Sequence, residues 1–157
     1  MDASTDIVQT NAGPVRGTVT DRYRLFQGIP YAATTGGEGR WRPPRPVPPW
    51  REPRDATRPC PICPQQPSSY AEVASLEEDC LFLNVTAPRS ATPAEPKPVM
   101  VWIHGDGAIG GGGFFDGRPL ALAGDVVVVT VNYRLGIFGA FGHPGLEGSG
   151  TFGLQDQ

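Results

Sequence analysis

Apolar and polar residues alternate at the start of this chain and later give way to unbroken apolar runs, so two kinds of strand are predicted. The runs Ile7-Val8-Gln9-Thr10, Val15-Arg16-Gly17-Thr18-Val19 and Tyr23-Arg24-Leu25-Phe26 are separated by Asn11-Ala12-Gly13-Pro14 and by Asp21. Short β-rich runs broken by Gly, Asn and Asp predict an antiparallel meander, which Gly28-Ile29-Pro30-Tyr31-Ala32 ends. Leu81-Phe82-Leu83-Asn84-Val85 predicts a further strand. Val99-Met100-Val101-Trp102-Ile103 and Val126-Val127-Val128-Val129-Thr130-Val131 are longer apolar runs, and such runs are expected in strands buried on both faces. Pro119 to Ala123 predicts a short helix between those two strands, and a loop–helix crossover there implies parallel pairing, hence an α/β sheet. Gly153-Leu154-Gln155-Asp156-Gln157 predicts the first turn of a last helix.

The connections are unusually rich in Gly and Pro, with 21 and 18 in 157 residues. With 39% apolar residues, that content implies long irregular segments between few regular elements. Thr34 to Pro67 is one such segment, and Trp41 and Trp50 are expected to pin it in extended form onto the body. Ala87 to Pro98 reads as a loop, as does the Gly-rich stretch before Gly153. A net charge of -3 and the absence of a Lys/Arg stripe argue against nucleic acid and against electrostatic membrane binding. No apolar run approaches the roughly 20 residues that span a bilayer. Met1 to Asp6 lacks the basic and apolar blocks of a signal peptide, so a cytoplasmic location is the default expectation. Cys60 and Cys63 form a C-x-x-C with Cys80 following; no histidine nearby completes a metal site, so no metal is assigned and one disulfide with a spare thiol is expected.

The chemical centre is the turn after Ile103: His104, Gly105-Asp106-Gly107-Ala108-Ile109 and then Gly110 to Gly113. Glycines let the backbone take φ > 0 and let another atom approach its N–H groups, which suits the turn to holding negative charge. Gly105 to Gly110 also matches G-x-G-x-x-G, the dinucleotide fingerprint. That motif needs a helix starting at once and an acid at the end of the next strand; three more glycines oppose the helix, and Asn132 stands where the acid should be. Glu77-Glu78-Asp79 is read as an ion pair with solvated neighbours rather than a catalytic pair.

Several blocks together resemble the type-B carboxylesterases, the cholinesterase-like group of the α/β-hydrolases. They are Gly28 to Ala32, Arg40-Trp41-Arg42-Pro43-Pro44, Arg54-Asp55-Ala56-Thr57, Cys63-Pro64-Gln65, Glu78 to Val85, Val99 to Gly105, Val127 to Gly136 and Gly153 to Gln157. The resemblance implies an incomplete α/β-hydrolase fold in which an N-terminal antiparallel meander leads into the central mixed sheet through Pro/Gly-rich loops. Residues 1–157 would then be the N-terminal part of a single domain. By position, Asp106 and Gly107 would supply oxyanion-hole N–H groups, with His104 and Gly105 supporting the loop. Cys63 and Cys80 would be the disulfide pair, which would suit an exported protein. Arg40 with Glu78, and Arg134 with Asp156, would be structural ion pairs. Tyr70 is the only aromatic residue between the paired cysteines, so no aromatic choline-binding residue is evident there.

The family's G-x-S-x-G nucleophile is missing: Gly148-Ser149-Gly150 is preceded by Glu147 and does not fit it. His104 and His143 do not occupy the family's catalytic histidine position. The expected function is therefore that of the N-terminal portion of a carboxylic ester hydrolase, whose complete form would take a small-molecule ester without cofactor. Asp106 replaces a family glycine and puts a carboxylate near the charge the loop should stabilise, so a catalytically inactive cholinesterase-like binding protein is the alternative. A dinucleotide-binding module is a third. A sheet cut after its first strands is also expected to expose an unpaired edge and an uncovered apolar face along Val126 to Val131.

Overall fold

The structure, a computed structural model, describes residues 4–67, 72, 74–105 and 110–157. Asp106, Gly107, Ala108 and Ile109 lie outside the described residues, as does Tyr70. The strands are β1 (Ser4–Gln9), β2 (Pro14–Val19), β3 (Tyr23–Pro30), β4 (Arg54–Asp55), β5 (Phe82–Pro88), β6 (Val99–Ile103) and β7 (Val127–Val131). The helices are α1 (Arg118–Gly124), α2 (Gly136–Ala140) and α3 (Phe152–Asp156). One sheet runs in the order β1-β2-β3-β5-β7-β6, with β4 pairing β2. β6 lies parallel to β7 and β4 parallel to β2, while the other neighbours are antiparallel, so the sheet is mixed.

The meander forms where alternation predicted it, with turns at Asn11 and Asp21, and the threonine before each turn organises it. The Thr10 hydroxyl accepts from the N–H groups of Ala12 and Gly13 at 3.2 and 3.1 Å, and Thr20 does the same for Arg22 and Tyr23 at 3.2 and 3.1 Å. These side chains satisfy turn amides that no ladder reaches. Val15, Phe26 and Ala56 build one small core under this half. The proline-rich segment is pinned at both tryptophans. Trp50 donates its indole N–H to the Pro14 carbonyl at 2.7 Å, and Trp41 donates to the Ile137 carbonyl at 3.0 Å while packing on Phe141 at 4.9 Å.

β6 differs from its expectation. Among the described residues it pairs with β7 alone, and its five residues are 44–60% exposed. The uncovered apolar face expected along Val126 to Val131 is likewise found on β6; on β7, Val128 and Thr130 are buried. An apolar run reports that a strand suits cover on both faces, but its place in the sheet depends on which strands pair with it. β5 also runs on to Pro88, into the stretch expected to be loop. Pro119 stands in the first turn of α1, and Asp125 ends that helix in a left-handed conformation at φ 50°.

The unexpected helix α2 begins in the Gly-rich stretch. Gly139 sits there because a Cβ would strike the Arg134 carbonyl, so this glycine marks close packing rather than a loop. Arg134 is the node of this end of the molecule. Its guanidinium donates twice to the Asp156 carboxylate, at 2.8 and 2.7 Å, and once to the Arg42 carbonyl at 2.7 Å; its own N–H reaches Asp156 at 3.0 Å. Both side chains are buried, 3% and 0% exposed, and Phe152 lies 5.2 Å under the guanidinium. One ion pair thus joins β7, the proline-rich segment and α3. Arg40 makes a two-bond pair with Glu78, but here the arginine side chain is 43% exposed, so this pair is not buried as the first is.

Removing one partner of a buried pair leaves an uncompensated charge. Asp156→Ala should therefore lower unfolding stability by roughly 3–5 kcal/mol in urea denaturation, whereas Glu78→Ala should cost much less because water replaces the lost partner of Arg40. Equal losses would contradict the difference in burial.

Candidate active site

The turn that leaves β6 is held on both flanks by side chains from elsewhere in the fold. On the near flank, the His104 ring stacks on Tyr133 at 4.2 Å and 13° between planes, and the Tyr133 hydroxyl donates to the His104 carbonyl at 2.6 Å. His104 Nδ1 lies 3.3 Å from the Gly105 carbonyl, and Nε2 has no partner among the described residues. Burial holds the imidazole below its ordinary value of 6.5, with the contact to Gly105 opposing this in part. A neutral, stacked ring braces the turn and carries no positive charge to it.

On the far flank, the Gly111 N–H donates to Gln65 Oε1 at 2.8 Å and the Gly111 carbonyl accepts from Gln65 Nε2 at 2.6 Å. Gly113 is gripped from the sheet: its N–H donates to Asn132 Oδ1 at 2.6 Å, and its carbonyl accepts from Asn84 Nδ2 at 2.5 Å and the Thr130 hydroxyl at 2.6 Å. Asn84 and Thr130 are cross-strand partners on β5 and β7, and Asn132 follows Thr130 at the two-residue spacing that keeps side chains on one face. Asn132 Nδ2 donates in turn to the Pro61 carbonyl at 3.0 Å, and Asn84 Oδ1 accepts from the Gly28 N–H at 2.9 Å. Gly111 has φ +113°, and a Cβ there would meet His104 Nδ1, so only glycine fits that corner.

Asp106 and Gly107 stand in sequence between these clamped flanks. Helix α1 begins only at Arg118, so no helix follows Gly110 at once and the dinucleotide geometry is not met. Cys63 and Cys80 form a disulfide and Cys60 is free. Cys60 borders a cavity of about 310 Å³ with Leu25, Gln27, Asn84, Phe115 and Arg118. Burial pushes the Cys60 thiol up to about 11, so it stays protonated and is no nucleophile at neutral pH. Ser149 is occupied in a turn, accepting from the His143 N–H at 3.1 Å and donating to the His143 carbonyl at 3.0 Å.

Gln65, Asn84, Thr130 and Tyr133 were not singled out from the sequence as site residues. The available signal was polarity out of place: Asn84 inside a run of Leu, Phe and Val, and Thr130 and Asn132 at the end of a valine run. A buried amide needs partners, and here the partners are the glycine turn.

The sequence model of the carboxylesterase family matches residues 4–157. The para-nitrobenzyl esterase of Bacillus subtilis is 45% identical over 140 residues, covering 85% of this chain and 28% of that protein. The fumonisin B1 esterase of Sphingopyxis macrogoltabida is 41% identical over 158 residues, covering 94% of this chain and 29% of that protein. Among solved structures, a thermophilic PNB esterase superposes with a TM-score of 0.87 at 40% identity, over 98% of this chain and 33% of that one. A carboxylesterase of Geobacillus stearothermophilus gives 0.82 at 38% identity, over 96% and 32%. The chain thus spans less than a third of the length of these curated relatives.

Because burial lowers the His104 pKa, the unfolded chain binds a proton there more readily than the folded one. Stability should be complete above about 6.5 and fall as the pH drops from there through the depressed folded value. Thermal unfolding between about pH 5 and 8 should show this slope, and His104→Gln should flatten it; an unchanged slope would assign the pH dependence to other groups.

Proposed function

The chain belongs to the carboxylesterase family, and from that premise we propose that its glycine turn is the oxyanion-binding element of a carboxylic ester hydrolase. The N–H groups of Asp106 and Gly107 would be the donors. The observation that carries the reading is the clamp: Gln65 on Gly111 and the Asn84, Thr130 and Asn132 group on Gly113 hold the far flank of the turn before any substrate arrives. Donors fixed in advance stabilise a developing oxyanion without reorganising at the moment of reaction, which is where most of their value lies.

The reaction needs more than this. An ester carbonyl turns into an oxyanion only when an oxygen nucleophile attacks it, and that nucleophile needs a base and an orienting acid. These 157 residues contain no G-x-S-x-G, Ser149 is held by His143 backbone groups, and His104 is stacked on Tyr133. The nucleophile, base and acid of the proposed enzyme therefore belong to sequence outside residues 1–157, and those residues are proposed as the N-terminal part of one hydrolase domain. The coverage of under a third of each curated relative supports that division. The substrate class is a small carboxylic ester.

Asp106 supports a second reading. Its carboxylate next to the turn would oppose the charge the turn holds, and loss of a single oxyanion donor costs about 10²–10³ in kcat. In that case the same scaffold would serve as a binding protein without turnover.

The 157-residue chain alone should give no turnover of a short-chain nitrophenyl ester above background. In a longer form carrying a G-x-S-x-G serine, hydrolysis should be seen and Asp106→Gly should raise kcat with little change in KM. No hydrolysis by such a form would reject the hydrolase reading for the binding one, and an unchanged kcat in Asp106→Gly would show that the carboxylate points away from the oxyanion.

A further inference from the structure

Gln65 is placed to do more than fill space. It is buried, and its polar groups are taken by three partners, Cys63, Ser75 and Gly111. Its backbone N–H and carbonyl pair with Ser75 at 3.0 and 3.0 Å, forming an isolated antiparallel bridge. Its side-chain Oε1 accepts from the Gly111 N–H at 2.8 Å, and its Nε2 donates to the Gly111 carbonyl at 2.6 Å and to the Cys63 carbonyl at 3.0 Å. The Ser75 hydroxyl donates to the Ile62 carbonyl at 2.7 Å, which ties the bridge back to the start of the same segment. Cys63 and Cys80, joined by the disulfide and both buried, close that segment around Gln65.

We propose that Gln65 is a positioning residue for the oxyanion turn. The proposal rests on the ester-hydrolase reading above. The two bonds go to the two peptide groups that flank Gly111, the N–H of one and the carbonyl of the other, so they fix the backbone on both sides of its Cα, which a single bond does not. Gly111 lies at φ +113°, outside any strand or helix, beside His104. Among the described residues, no other side chain bonds its N–H or carbonyl. The sheet grips Gly113 directly, whereas Gly111 is held by Gln65, two residues from the disulfide-bonded Cys63. A displacement of about 1 Å at a positioned group can cost on the order of 10²-fold in rate, so the amide acts on the reaction through the turn without touching substrate.

The test compares Gln65→Leu, which removes both bonds, with Gln65→Glu, which keeps an acceptor for the Gly111 N–H and loses the donor to its carbonyl. Both are made in the full-length protein. Turnover of a short-chain nitrophenyl ester is expected to fall on the order of 10–10²-fold in kcat for Gln65→Leu with KM within about twofold, and less for Gln65→Glu. Hydrogen–deuterium exchange read on the peptide spanning residues 104–113 should accelerate in Gln65→Leu while peptides from β2 and β3 keep their rates. Unchanged exchange in that peptide overturns the clamp. Faster exchange with an unchanged kcat overturns the positioning role, as does a fall in kcat of equal size in both variants that follows their melting temperatures. If the unsubstituted protein hydrolyses no ester, the hydrolase reading fails and takes the catalytic role with it, while the exchange result still decides whether Gln65 holds the turn.

Discussion

The constraint on which this structure depends is that a run of glycines cannot satisfy its own peptide groups. A turn that is neither helix nor strand leaves N–H and carbonyl groups without ladder partners, and when buried these cost about as much as lost hydrogen bonds. Here the partners are side-chain amides and hydroxyls: Gln65 for Gly111, and Asn84, Thr130 and Asn132 for Gly113. Polar residues are therefore needed inside the sheet on that face. Their positions follow from strand register, because Asn84 and Thr130 meet across β5 and β7.

The end of β7 concentrates three duties in three consecutive residues. Asn132 holds Gly113, Tyr133 braces His104 by stacking and by its hydroxyl, and Arg134 joins Asp156 and the Arg42 carbonyl. The turn and the last helix are thus anchored to the same few atoms of backbone. A buried ion pair is not in itself a large source of stability, since both charges must leave water. Its value here is specificity: it sets where α3 and the proline-rich segment meet the strand end.

On the proposed ester-hydrolase reading, Asp106 would bring a local conflict to the turn, because its carboxylate would compete with the negative charge the N–H groups would hold. The buried and neutral His104 would not offset that charge. Such conflicts between a local residue choice and the role of its surroundings are found at functional positions, where they adjust activity rather than fold.

The linear order of residues was sufficient for the meander, the parallel pairing of the two apolar runs, the helix near Pro119 and the family. Each of these rests on local periodicity or on blocks of neighbouring residues. The disulfide followed from the resemblance, not from spacing. What the chain order left open was long-range. The apolar run of β6 reads as a strand covered on both faces, yet within residues 1–157 it pairs with β7 alone and stays 44–60% exposed, because cover depends on which elements pack there and not on composition. Gly139 reads as loop, yet it lies in a helix, and it is glycine there because a carbonyl from Arg134 leaves no room for a Cβ. The clamp on the turn joins residues 46 positions apart at Gln65 and Gly111, and only tertiary packing brings an amide and a peptide at that separation into hydrogen-bonding distance.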